Sequence, residues 1–417
     1  MFNSHVCALD IGTHKISACV AQIKKKKIVS LEFESVSSKG ISKGSLVDSV
    51  NLISAIGQVL KRLKAKSGVA IKFLHVNISG QDVVTKHSRA IIPLTERGNK
   101  VITPSDIQKV NEQAQVLGSN LEEEILHKIP FSYAIDSKSN LLNPLGLYSH
   151  KLEVDLYLIC AHVATLQSLT HAVNQAGYEI KDFCFSGLAT SEVVFNEEHF
   201  RGMTVLCDIG SDITEIMIFN DGSLTQIEIL TMGGNDLTVA LKESLHIAYD
   251  FAEDIKISYG IIGEADHLKE DKEILIKKDN SYQPIKQREV CQILTVQAKE
   301  ICQTIKQVIE RNVSCAQIHN VVVCGRTILQ EGFLEMLEST LQMRAQLGRI
   351  QNQELMPFVK NNDSLSGQKY LAYITSLGML VLAQHEYRPT IFTAQQPVKN
   401  PFLKVMHKVK DVYQEYF

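Results

Sequence analysis

Ala8-Leu9-Asp10-Ile11-Gly12-Thr13-His14-Lys15 is the stretch on which the reading of this chain turns. An aspartate closes an apolar strand and is followed at once by a small-residue turn. Gly12 lets the backbone approach a phosphate closely, and the N–H groups of the turn point at its oxygens. Asp10 has the chemistry to hold Mg²⁺ through water, because that ion keeps much of its hydration shell. Thr13 and Lys15 add a hydroxyl and a positive charge. Taken alone, the octapeptide also fits an ordinary hairpin turn.

Asp208-Ile209-Gly210 supplies the second copy of the pattern. Around the first, Val6–Ile23 reads as a hairpin, the four lysines Lys24–Lys27 as a solvated hairpin tip, and 28–36 as a third strand. Around the second, Met203–Ile209 is a strand, Gly210–Asp212 a turn and Ile213–Phe219 a strand. Asn220-Asp221-Gly222 is a hairpin turn and 224–230 a third strand. The same order recurring roughly 200 residues later implies a duplicated lobe with a cleft between the copies. A third element, Val321-Val322-Val323-Cys324-Gly325, is a buried strand leading into a turn of the kind that lets adenine and ribose approach the backbone. A plain strand–helix junction is its alternative.

Between these elements, Leu52–Leu63 has helical spacing and Phe73–Ser79 is a strand. Residues 83–162 form a more polar segment, with a helix started by Thr103 as cap and Pro104 in its first turn. Thr165–Ala176 is a helix stopped at Gly177, and Ile285–Asn312 is a long one whose Val290, Ile293, Leu294, Ile301, Ile305 and Val308 face a core.

With 417 residues, 45% hydrophobic and 21% charged, the chain is long enough for two lobes and ordinary for a globular protein. A net charge of −3 carries no nucleic-acid signature. Nine cysteines without a C-x-x-C pair fit a reducing compartment. No signal peptide is read at the start, and no apolar run reaches about 18 residues, so no membrane span is expected.

These three elements, in this order and spacing, resemble the actin and heat-shock-chaperone ATPase superfamily, and within it the FtsA family of bacterial cell-division proteins, over nearly the whole chain. Gly40-Ile41-Ser42-Lys43-Gly44 and His75-Val76-Asn77-Ile78-Ser79-Gly80 are similar to further signatures of that family, and Asn143-Pro144-Leu145-Gly146-Leu147 resembles the end of its inserted 1C subdomain. Gly233-Gly234-Asn235 and Glu253-Asp254-Ile255-Lys256 resemble its entry to the second lobe.

The resemblance implies an α/β, two-lobed actin-like ATPase fold of ribonuclease-H type, with a 1C-type insertion and a C-terminal amphipathic helix. The expected partition is 1–82 with 163–197 for the first lobe and 83–162 for the insertion. The second lobe is 198–235 with 313–384, its 2B-like part 236–312, followed by a linker, 385–399, and a terminal helix, 400–417. The implied cofactor is ATP or ADP with Mg²⁺. Asp10, Gly12, Thr13, Lys15, Asp208, Gly210, Ser211, Gly233, Gly234 and Asn235 would lie at the phosphates, Glu253 and Lys256 near ribose and adenine, and Gly325 and Arg326 at the adenosine turn. Asp10 and Asp208 would serve the metal. Implied partners are FtsZ, other division proteins, copies of the chain in a filament, and the inner membrane's cytoplasmic face at the division site. Two rivals are a PilM-like pilus-assembly component and a sugar-kinase-like enzyme of the same fold.

This sequence departs from that pattern. The second loop reads Asp208-Ile209-Gly210-Ser211-Asp212-Ile213 where the family often has a glycine run followed by threonine. A carboxylate at Asp212 about 5 Å from a γ-phosphate, at an effective dielectric of about 20, is repulsive by roughly 3 kcal/mol per unit pair, which a bound cation or an outward rotamer would reduce. Gly325-Arg326-Thr327 likewise replaces a glycine run, and Arg326 either clashes with the nucleotide or stacks on adenine. Weak or altered ATP binding with slow hydrolysis is the expectation. Glu192 is the candidate for positioning water at the γ-phosphate.

The last segment, Asn400–Phe417, repeats apolar residues at three- and four-residue steps: Phe402, Val405, Met406, Val409, Val412, Tyr413 and Tyr416, with Leu403 beside them. Lys404, His407, Lys408 and Lys410 lie between. A rod of about 27 Å with a polar face lies in a headgroup plane rather than across a bilayer, and its lysines favour anionic lipid. Packing back on its own lobe is the alternative. This segment also resembles the membrane-targeting helix of the FtsA family.

Overall fold

The computed structural model describes residues 4–384 except 26, 96, 97, 137, 264–271, 279, 280, 361, 363, 364 and 366. The expected linker and terminal membrane-binding helix, with Phe402 through Tyr416, lie outside the described residues.

Strands β1 (Ser4–Ile11), β2 (Lys15–Lys24) and β3 (Lys27–Ser37) run antiparallel in sequence order. Helix α1 (Ser49–Ser67) is started by the Asp48 carboxylate, which accepts the Asn51 N–H, and buries Leu52, Ile56, Val59, Leu60 and Leu63. It feeds β4 (Phe73–Ile78), parallel to β1. Strand β5 (Val83–Pro93), helix α2 (Pro104–Gly118) and strands β6 (Glu123–Ile135), β7 (Lys138–Leu141) and β8 (Lys151–His162) then form a separate sheet of order β7-β6-β8-β5. That insertion has its own core, with Val110 and Ala114 of α2 set against Tyr133, Leu156 and Leu158. The Thr103 cap is a reciprocal box with Asp106. Helix α3 (Val163–Gln175), strand β9 (Glu179–Phe185) and helix α4 (Ser186–Val194) return the chain to the first sheet, ordered β9-β4-β1-β2-β3.

The second half repeats this plan. Strands β10 (Met203–Ile209), β11 (Thr214–Asn220) and β12 (Ser223–Leu230) are antiparallel. Helices α5 (Gly234–Leu245) and α6 (Tyr249–Tyr259), the hairpin β13 (Glu273–Lys278) and β14 (Ser281–Lys286), and helix α7 (Gln287–Asn312) precede the parallel strand β15 (Ile318–Cys324). Helix α8 (Phe333–Leu341) leads to the short β16 (Gln346–Leu347), giving the order β12-β11-β10-β15-β16. Position for position this matches β3-β2-β1-β4-β9. Helix α7 starts two residues later than its periodicity suggested, because Ile285 is taken into β14 opposite Ile274.

The last described helix, α9 (Ile374–Gln384), departs from the expected partition. Sequence order assigned it to the second lobe, yet it packs against α4 and against β1, β2 and β4 of the first. Its apolar character all round suits burial on both sides, and a Cβ on Gly378 would lie 1.8 Å from the Ala189 carbonyl oxygen, so the two helices touch through bare backbone. The sheet face beneath α9 would otherwise stand open to water.

His127 joins the insertion to the first sheet. Its Nε2 accepts the Phe185 N–H at 2.8 Å, and burial holds the imidazole down to about 3. Between pH 6.5 and that value the unfolded chain binds a proton that the folded chain refuses, so stability falls as pH drops through this window. The thermal midpoint should decline from pH 7 to 4, and His127→Gln should flatten the slope. An unaltered slope in the variant would show that His127 does not carry it.

Candidate nucleotide cleft

A cavity of about 740 Å³ opens between the two sheets and is lined from both halves of the chain. This volume lies within the range of sites for cofactor-sized molecules. Its floor is the pair of strand ends at Asp10 and Asp208.

The first loop is braced from behind. Ile11 N–H donates to Asn77 Oδ1 at 2.6 Å, and Asn77 Nδ2 donates to Ser186 Oγ at 3.0 Å. Gly12 N–H closes the turn on the Lys15 carbonyl. Asp10 Oδ2 accepts from Ser17 Oγ at 3.1 Å and from Lys15 Nζ at 3.3 Å, and Lys15 also donates to the Ala372 carbonyl, just before α9.

The second loop is tied to the turn that opens α5. Gly234 N–H donates to the Gly210 carbonyl, Asn235 N–H to that of Ser211, and Thr327 Oγ1 to that of Gly210. Thr190 Oγ1 donates to Asp208 at 3.1 Å. Burial, joined by the charge of Asp10, pushes Asp208 up to about 6. Glu215, opposite Asp208 in the ladder, goes up to about 8 through burial and the Asp208 charge, while Ser79 Oγ donates to it at 2.6 Å across the cleft. Three carboxylates therefore crowd one buried floor with Lys15 beside them, a donor set short of positive charge and suited to a hard cation. Among the described residues no group of three or more His, Cys, Asp or Glu side chains encloses a metal position. An ion here would complete its shell with water and phosphate oxygen.

On the other wall, Lys256 Nζ donates to the Gly234 carbonyl at 3.0 Å and to Glu253 and Thr238 Oγ1 at 2.7 Å each. Burial pulls this ammonium down, and Glu253 opposes the fall. Gly325 has φ +86°, and a Cβ there would stand 2.1 Å from the Ile209 carbonyl oxygen, so this turn admits no side chain.

Asp10, Gly12, Thr13, Lys15, Asp208, Gly210, Ser211, Gly234, Glu253, Lys256, Gly325 and Arg326 all line this one cavity. Gly233 and Asn235 stand behind the lining: the Gly233 N–H is capped by Asp236, and Asn235 accepts from Tyr249. Glu192 lies on buried α4 and is not among the lining residues, whereas Glu215 is. Glu215 had a signal in the sequence, as a lone charge in the apolar run Ile213–Phe219.

Asp212 also differs from expectation. Its carboxylate accepts the Lys43 N–H at 2.8 Å, is only 6% exposed and does not line the cavity. The side chain clasps the 40–44 turn instead of lining the cavity. Asp212→Gly should lose about 1.5–3 kcal/mol of stability, the range for a hydrogen bond to a charged group. It should shift ATP affinity by less than about tenfold. Denaturant melts and calorimetry test both, and a hundredfold gain in affinity would reinstate the repulsion.

Comparison with known proteins follows the same lines. The family model "Cell division protein FtsA" matches residues 205–375, and the model "SHS2 domain inserted in FTSA" matches residues 80–160, together more than half of the chain. Cell division protein FtsA of Borreliella burgdorferi is 25% identical over 417 residues, covering 98% of this chain and 96% of that protein. Among solved structures, a chain of the PilM-PilN type IV pilus biogenesis complex superposes with a TM-score of 0.61 at 14% identity, covering 90% of this chain and 97% of its own. MreB5 of Spiroplasma citri bound to ADP superposes with a TM-score of 0.53 at 12% identity, with 91% and 95% covered. These superpositions establish an actin-like fold.

Proposed function

Because the chain belongs to the FtsA family of cell-division proteins, we propose that it binds ATP or ADP in the interlobe cavity, assembles with its own copies into actin-like filaments and holds FtsZ at the cytoplasmic face of the cell membrane. The observation that carries the nucleotide part is the meeting of Asp10, Asp208, Lys256 and Gly325 on one cavity. In this reading the N–H groups around Gly12 and Gly210 take the β- and γ-phosphates. Asp10 and Asp208 would hold Mg²⁺, which would supply neutralisation of phosphate charge. Glu253 and Lys256 orient the ribose and adenine, and Arg326 closes over the base. Glu215, its carboxyl raised by burial and accepting from Ser79, would hold water near the γ-phosphate.

Nucleotide acts as a switch because a triphosphate touches the loops of both lobes at once, so its differential contacts favour the closed cleft. The filament multiplies a weak membrane contact into a stable one. Co-pelleting of FtsZ with anionic vesicles tests the whole reading. FtsZ should pellet only when the full-length chain is present, and more with ATP than without nucleotide. FtsZ left in the supernatant under all conditions would overturn the adaptor role.

A further inference from the structure

The lysine run at the first hairpin tip has no part in the cleft. Lys24, Lys25 and Lys27 are exposed, and among the described residues none is paired with a carboxylate. Lys25 sits at φ +52°, a conformation that tight hairpin turns normally give to Asn or Gly. Charge rather than backbone ease therefore accounts for lysine at this position. Helix α1 runs toward the same end, but its last turn, where Lys66 pairs with Glu32 and Glu34 of β3, stops short of the tip.

Helix α9 leads to this end as well. It begins beside the cleft, where Ala372 meets Lys15. Ser376 Oγ lies 3.0 Å from Cys19 Sγ, so the helix leaves the cleft in the direction in which β2 runs while crossing β1 and β4. Eight residues remain to Gln384, a run of about 12 Å. That run carries α9 toward the β2–β3 end of the first lobe and away from the cleft. The last described helix is therefore directed toward the lysine end of the first lobe.

We propose that the β2–β3 tip is a second membrane contact, a lipid-facing basic surface that engages anionic headgroups beside the terminal segment. This rests on the membrane-tether reading above and adds a site to it. A single reversible anchor gives marginal attachment, and a polybasic patch next to it supplies the second signal. The tip also fixes which face of the first lobe meets the bilayer.

The test uses the full-length chain on vesicles of phosphatidylcholine alone or mixed with phosphatidylglycerol. Replacing Lys24, Lys25 and Lys27 by Gln should lower partition onto the anionic vesicles by about tenfold to a hundredfold. It should flatten the salt dependence and leave the melting midpoint in place. Replacement by Arg should retain binding. Lys109→Gln, Lys242→Gln and Lys299→Gln together, on exposed sites elsewhere, should change it little. Binding of the Gln variant within twofold of the wild type overturns the tip contact and leaves the tether standing. A wild-type chain that ignores anionic vesicles overturns both. Equally tight, tip-dependent binding to a duplex oligonucleotide would make the surface a nucleic-acid site and overturn the lipid assignment.

Discussion

Replacing Asp10 with alanine is expected to weaken Mg²⁺-dependent ATP binding by about a hundredfold or more while leaving the fold as stable as before. The first half follows from position. Asp10 ends β1 on the cavity floor, where its carboxylate is held by Ser17 and Lys15. Removing it takes away one of two proposed metal anchors and frees Lys15 to remain on the Ala372 carbonyl. Two lost charge-assisted interactions at about 1.5–3 kcal/mol each give this magnitude. The second half follows from the crowding of carboxylates. Burial and the charge of Asp10 raise Asp208 to about 6, so deleting Asp10 relieves a repulsion in the empty cleft. Function and stability should part company, as they do at sites strained for a ligand. Calorimetry with ATP and Mg²⁺, paired with a thermal melt, reads both. Unchanged affinity would remove Asp10 from the site, and a large loss of stability would make its role structural.

Deleting residues 400–417 is expected to abolish pelleting with anionic vesicles, a loss of at least about a hundredfold in partition. Seven apolar residues from Phe402 to Tyr416 recur on helical spacing with lysines between, and burying such a face in the headgroup layer is the main source of affinity. The lysine tip carries no apolar anchor large enough to replace it. The truncated chain should still bind ATP, since among the described residues none after 375 lines the cavity. Pelleting equal to that of the full chain would place the membrane contact elsewhere. Lost ATP binding would show that the segment packs on its own lobe.

In this FtsA-family chain, the sequence by itself determined the elements whose cause is local. Alternating apolar residues and small-residue turns announced both three-stranded units, and their repetition announced two similar sheets. Thr103 and Pro104 marked a helix start because a cap acts within one turn. Asp10, Asp208 and Gly325 were legible as candidates that would share one cavity because each closes a strand and opens a turn, a chemistry written in four or five neighbouring positions.

What only the tertiary structure decided depends on partners far apart in the chain. Glu215 meets Ser79 across 136 residues, Asp212 meets Lys43 across 169, and Lys15 meets Ala372 across 357. No local pattern encodes which way Asp212 turns. Its charge was visible, but a carboxylate facing a phosphate and one clasping a backbone N–H look alike in sequence. The return of α9 to the first sheet was hidden for the same reason: an all-apolar helix shows that it is buried, and only the open face of β1, β2 and β4 settles against what. That return directs the last described helix toward the lysine end of the first lobe.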